Sequence, residues 1–301
     1  MDRNTLLAFF LISLVLVFTP KYMEMVSPPP DPDGVNNSSM ADTIKTIDQI
    51  NFTPQNNKPE PQYELKTTLS RPRLSTQDPE KLLSVNTSLY SATLSSVSGG
   101  SFVSFKFNQY FKKDSQFVDI INNKRNLVIN GKDLDGNPLS LNEPWEFVSH
   151  EKGFKQEVVF RKELFPEEYV YKTLAFHDDS YVVDVQINMV EISNNVYRNS
   201  EFTWGGGLSS TEENIDDDVY YFNSYALQGG ELESLKVGSG DSEEVTLNGI
   251  TDWAAIRTKY FAVAIIPENK KSISSVTLSG AGDTTETYGM SFIFDPIEKQ
   301  A

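Results

Sequence analysis

With 301 residues, 39 % of them hydrophobic and 12 % aromatic, the chain can bury the core of one sizeable domain or two small ones. A net charge of −16 argues against a nucleic-acid backbone partner, since that contact needs clustered Lys and Arg, and against adsorption to anionic lipid. The lack of cysteine, with His150 and His177 the only histidines, excludes disulfides, thiolate catalysis, Cys-ligated zinc and a three-histidine metal site.

In chain order, the first element is an apolar run from Leu6 to Phe18, broken only by Ser13. The run alone is shorter than the roughly 20 helical residues that span a bilayer. Tyr22, Met23, Met25 and Val26 extend it, with Lys21 able to snorkel. No small-x-small cleavage site follows, and the next alanine after Ala8 is Ala41. Residues 5–26 therefore read as an uncleaved transmembrane anchor, a cleaved signal peptide being the alternative. Arg3 and Lys21 each lie near an acid, so charge hardly sets orientation; placing the mass of the chain outside the cytoplasm is the default. Nine of the fifteen prolines fall between Ser27 and Ser84, where few apolar side chains accompany them. Residues 27–81 accordingly read as a disordered tether.

From Leu82 the apolar period becomes two. Tyr90, Ala92 and Leu94, a Gly99-Gly100 turn, then Val103, Phe105 and Phe107 predict a hairpin with one wet face. Tyr181 to Met189 repeats the alternation until a slip past Val190, and Tyr288, Met290, Phe292 and Phe294 repeat it again. Shorter strands are expected near 117–121, 126–129, 154–163, 168–176, 219–222, 232–237 and 272–278. Turn signals at Asp135-Gly136-Asn137-Pro138, Lys152-Gly153, Asp178-Asp179-Ser180, Gly229-Gly230 and Gly238-Ser239-Gly240 separate most of them. Tyr260 to Ile266 reads as a strand buried on both faces and stopped by Pro267. With no amphipathic helix beyond two turns and more than a dozen strands, the class is all-β, a large antiparallel double sheet over residues 82–296.

Candidate sites each have a plainer reading. Asp133, Asp135 and Asn137 open like a calcium loop, yet Pro138 and Pro144 stand where glycine and a bidentate glutamate are needed, so a hairpin tip is expected. Glu212, Glu213, Asp216, Asp217 and Asp218 read as a solvated acidic loop. Gly205-Gly206-Gly207 lacks the Lys and Ser/Thr of a phosphate cradle. His150 and His177 stand at turns beside acids, as exposed structural histidines do; the chemical alternative is half of an acid/base pair in a sugar-epimerising sandwich. No Gly-x-Ser-x-Gly supports a hydrolase.

Residues 249–267, GITDWAAIRTKYFAVAIIP, carry a family resemblance. Trp253, Lys259-Tyr260-Phe261-Ala262 and Ile266-Pro267 resemble the late periplasmic-domain signature of the bacterial membrane protein insertase YidC family. In order, MDRNTLL with its apolar run resembles that family's first transmembrane segment. Thr87 to Phe107 with Gly99-Gly100 resembles its first periplasmic hairpin. Lys172 to Phe176 with Asp179 to Val183, including Tyr181, resembles its central strands, and Trp204, Gly207-Leu208 and Thr211-Glu212 the loop after them. The resemblance implies a galactose mutarotase-like β-supersandwich behind one transmembrane helix and a linker, in the bacterial inner membrane with its bulk in the periplasm. It implies an amino-terminal portion of an insertase, with residues 297–301 starting the connection to membrane helices. The implied role is non-enzymatic: assisting insertion and folding of inner-membrane proteins, alone or with the Sec translocon, in contact with nascent membrane proteins and a Sec accessory subunit. No catalytic, metal or cofactor site is expected; Gly99, Gly100, Tyr181, Trp204, Trp253, Tyr260, Phe261 and Pro267 count as structural signature positions. The alternative function is an exported sugar-binding or sugar-epimerising sandwich.

Overall fold

The computed structural model describes residues 79–123, 125–282 and 288–296. The expected anchor and nearly all of the expected tether lie outside them, as does the expected start of a connection at 297–301. Among the described residues no helix is long and apolar enough to cross a membrane.

In chain order the strands are β1 (Leu82–Asn86), β2 (Tyr90–Ser95), β3 (Ser101–Phe111), β4 (Phe117–Asp119), β5 (Val128–Asn130), β6 (Glu146–Glu151), β7 (Lys155–Phe165), β8 (Glu168–His177), β9 (Val183–Asn188) and β10 (Ser200–Trp204). A five-residue helix α1 (Ile215–Val219) precedes β11 (Asn223–Gln228), β12 (Glu231–Leu235), β13 (Ser242–Asn248), β14 (Thr251–Arg257), β15 (Ala262–Ile265), β16 (Ile273–Ala281) and β17 (Gly289–Phe294). They form four sheets ordered β1-β2-β3-β4, β13-β16-β17-β10-β5, β12-β11-β14-β15 and β6-β7-β8-β9. Every named pairing is antiparallel, so the all-β antiparallel class stands.

The β2–β3 hairpin forms at the expected glycines, with a register shift at Thr93/Leu94. The extra residue of that bulge turns Phe102 into the core and leaves Val103 half-buried, which corrects the simple alternation read from Val103 to Phe107. β1, β6, β10, β11 and β13 are strands that the sequence reading did not single out. The strand expected over 219–222 is instead the end of α1 and a turn. There the Asn214 side chain accepts from the Asp216 N–H, and acids fill the first turn where the helix dipole favours them.

One apolar core joins the sheets. Phe102 of β3 meets Phe176 of β8 edge-on at 6.3 Å and lies 6.4 Å from Trp204 of β10. Phe222 and Tyr288 approach at 6.4 Å between the second and third sheets. Trp145, which the sequence reading passed over, is buried just before β6 and donates its indole N–H to the Leu141 carbonyl at 2.8 Å. Such a partner is what lets a tryptophan lie in a core.

The stretch expected to be buried on both faces behaves differently. β15 is the edge of its sheet and pairs only with β14. Ala262 and Ala264 face solvent while Val263 and Ile265 pack on the core; Tyr260 and Ile266 are 62 % and 69 % exposed. An edge strand has one covered face, so four residues with small outward alanines satisfy the backbone without a second layer.

Candidate functional site

The residues that carry the sequence resemblance lie in separate settings. Gly99 and Gly100 have φ of +67° and +109°, and a Cβ on Gly100 would stand 2.7 Å from Leu174 Cδ1 and 2.9 Å from Phe160 Cε2. A Cβ on Gly99 would stand 2.7 Å from Trp145 Cε3. Both positions need glycine for conformation and for space, because the β2–β3 turn is pressed against Trp145 and the β7–β8 layer. Trp204 is buried and donates to the Gly207 carbonyl at 2.9 Å, holding the glycine loop closed. Trp253 is half-buried on β14, opposite Leu227, and Pro267 lies just past β15.

Tyr181 and Phe261 converge on one aromatic cluster. Phe261 stacks on Phe107 at 5.1 Å, and Tyr181 meets Phe107 edge-on at 5.4 Å. Tyr110 approaches Phe107 at 5.6 Å and Phe261 at 5.9 Å. Beneath them the buried Tyr90 stacks on Phe105 at 4.3 Å. Burial, with Asp178 nearby, pushes the Tyr90 phenol well above its ordinary value. Three residues remote in sequence thus meet at β3, which spacing alone did not reveal. Tyr260 stands outside this stack and points to the surface.

The polar candidates are each held by local partners. His150 Nε2 lies 3.1 Å from Gln156 Oε1, whereas His177 Nε2 lies 2.9 Å from Asp184 Oδ2 in a largely solvated pair. The two imidazoles therefore serve different partners. Asp133 caps its own turn, accepting from the backbone N–H of Asp135 at 3.0 Å and of Asn137 at 2.8 Å, and from Asn137 Nδ2 at 3.0 Å. Burial alone would raise its pKa, but these hydrogen bonds to the ionised form together hold it below the ordinary value. The expected hairpin tip is thus what the three residues build. No group of three or more His, Asp or Glu side chains among the described residues could hold a metal.

Two charged residues are more deeply placed than the sequence suggests. Asp218, read as part of a solvated run, is fully buried. It accepts from Ser210 Oγ at 2.7 Å, the Thr211 N–H at 3.1 Å and the Lys259 N–H at 2.9 Å. This ties the segment after the glycine loop to the β14–β15 turn. Lys172, on the inward side of β8 between Val170 and Leu174, is also fully buried. Its Nζ donates to the carbonyls of Ser98 at 3.0 Å and Leu127 at 2.5 Å. Ser98 and Leu127 have φ of 54° and 53°, so the amine fastens two left-handed turns to β8. Burial pulls its pKa down to about 7. The alternation of β8 was the available signal, since it assigns Lys172 to the inner face.

The family model for the YidC periplasmic domain matches residues 82–298. A membrane protein insertase YidC of Prosthecochloris aestuarii is 26 % identical over 309 residues, covering 96 % of this chain and 50 % of its own. That of Chlorobium limicola is 26 % identical and covers 90 % of this chain and 46 % of its own, and that of Pelodictyon phaeoclathratiforme is 28 % identical over 219 residues. The chain spans about half the length of the curated relatives it matches.

Proposed function

The chain belongs to the family of YidC periplasmic domains, and from that premise we propose that it serves as the periplasmic part of a membrane protein insertase. In this reading residues 5–26 anchor it in the inner membrane as a single span, residues 27–81 tether it, and residues 82–296 form a β-supersandwich of galactose mutarotase type. Residues 297–301 lead toward membrane helices. Its role is to assist insertion and folding of inner-membrane proteins, alone or beside the Sec translocon, through contact with nascent membrane proteins and a Sec accessory subunit. The family match over residues 82–298 carries the reading.

The test is insertion of a reporter membrane protein in cells depleted of their own insertase and supplied with the full-length protein containing this chain. Insertion should be restored, and His150→Ala and His177→Ala should both retain it. Sugar epimerisation by the purified protein, lost in either histidine variant, would overturn the proposal in favour of the exported sandwich enzyme.

A further inference from the structure

Three connections bring exposed rings to one rim. The β3–β4 hairpin carries Tyr110, Phe111 and Phe117; the β14–β15 turn carries Tyr260; and α1 with the turn after it carries Ile215 and Tyr220. All six are between 47 and 69 % exposed. Direct contacts show that the connections are neighbours. Tyr110 meets Phe261 at 5.9 Å, and Lys113 Nζ pairs with Glu213 at 2.7 Å. The Lys259 amine lies 3.4 Å from Glu212, 5.0 Å from the Tyr260 ring centroid and 5.9 Å from that of Tyr221. Lys236 Nζ sits 4.2 Å over Tyr220.

The chemistry of this rim differs from that of the chain as a whole. Lys113 pairs with Glu213 and Lys259 with Glu212, and with Lys112, Lys236, Asp114, Asp216 and Asp217 in the same segments four amines stand against five carboxylates, so the rim is nearly neutral on a chain of net charge −16. Aromatic rings with lysine amines beside them are the residue set of a membrane–water interface, where the ring lies at headgroup depth and the amine reaches water. Tyr110 and Phe111 end β3, Phe117 opens β4, and Tyr220 and Tyr260 stand in turns. The strands bordering them, β4 and β15, have three and four residues, too short to template an added peptide strand.

We propose that this aromatic rim rests in the headgroup region of a zwitterionic phospholipid surface and so fixes the orientation of the domain against the membrane. The proposal rests on the reading of residues 5–26 as an anchor, which brings that surface within reach. Near-neutrality makes the contact one of ring burial, insensitive to salt and to anionic lipid.

The lack of cysteine permits a clean test with the whole chain in phosphatidylcholine vesicles. A bimane label is placed through Gln116→Cys at the hairpin tip, or, as a control, through Asn248→Cys at the end of β13, next to the Gly249 carbonyl that accepts from Gln228 at the end of β11 away from the rim, and quenching by 5-doxyl-phosphatidylcholine is read. At residue 116 quenching should be at least about twofold stronger, because interfacial groups sit within roughly 5–10 Å of the headgroup–acyl boundary. It should persist at about 1 M salt, where the Debye length is roughly 3 Å. Adding Phe111→Ser and Tyr260→Ser should reduce it to the control level while the melting temperature changes little. Equal quenching at 116 and 248 would overturn the proposal. So would quenching abolished by salt, or a label shielded from iodide only in native inner-membrane vesicles, which would assign the rim to a protein partner. Flotation of the chain with the vesicles reads the anchor separately, so a floating chain with an unquenched label would refute docking alone.

Discussion

Replacing Lys172 by methionine should abolish a pH dependence of stability whose size follows from burial. In the folded domain the amine is fully enclosed, its pKa is drawn from 10.5 to about 7, and desolvation is the sole cause. The unfolded chain restores the ordinary value. Between pH 7 and 10.5 the unfolded state therefore holds more protons, so stability rises with pH across that window and is flat below it. Each tenfold change in proton affinity is worth about 1.4 kcal/mol, which makes the rise on the order of 5 kcal/mol. Urea unfolding at several pH values, for the native chain and Lys172→Met, isolates this contribution by difference. Methionine leaves the Ser98 and Leu127 carbonyls without their donor, which shifts the whole curve by an amount independent of pH and does not touch its slope. Parallel curves from pH 7 to 10.5 would refute the argument, since they would mean that the folded domain holds the Lys172 proton as tightly as the unfolded chain does.

Gly100→Ala should destabilise by about 2–5 kcal/mol, combining a left-handed backbone with overlap onto Leu174 and Phe160. Gly136→Ala, at φ +86° with nothing within 4 Å, should cost only about 1–2 kcal/mol; thermal melts of the two compare space with conformation. Asp218→Ala should cost about 3 kcal/mol or more, since it strands one hydroxyl and two backbone N–H donors, and Asp218→Asn should cost less. Phe261→Ala should cost about 1–2 kcal/mol, well short of the 3–5 kcal/mol expected at the buried Phe102, because its ring is only partly covered; equal losses in urea melts would contradict the edge placement.

How far the fold could be read depended on whether local pattern or tertiary setting decided each element. β2, β7, β8, β9 and β17 were legible because their apolar alternation coincides with the covered face, and β3 was legible only from Phe105 on, past its bulge. β13 was not: its first three residues, Ser242, Glu243 and Glu244, all face solvent on an edge, so no alternation marks it. Tyr260 to Ile266 misled because an apolar run is the same letter string whether one face is covered or two; only the sheet order shows that β15 has a single neighbour. Asp218 escaped because an acidic run reads as solvated until a neighbour 41 residues away supplies its donor. The meeting of Tyr181 and Phe261 on Phe107 is equally a product of sheet packing, which no spacing encodes.

The measurement closest to the central claim, a β-domain held at the inner membrane on the side away from the cytoplasm, is labelling of Glu233→Cys in the otherwise cysteine-free chain with a membrane-impermeant maleimide. The account predicts that spheroplasts are labelled without lysis and that the labelled protein stays with alkali-washed membranes. Labelling that requires lysis, or labelled protein released by osmotic shock alone, would contradict it.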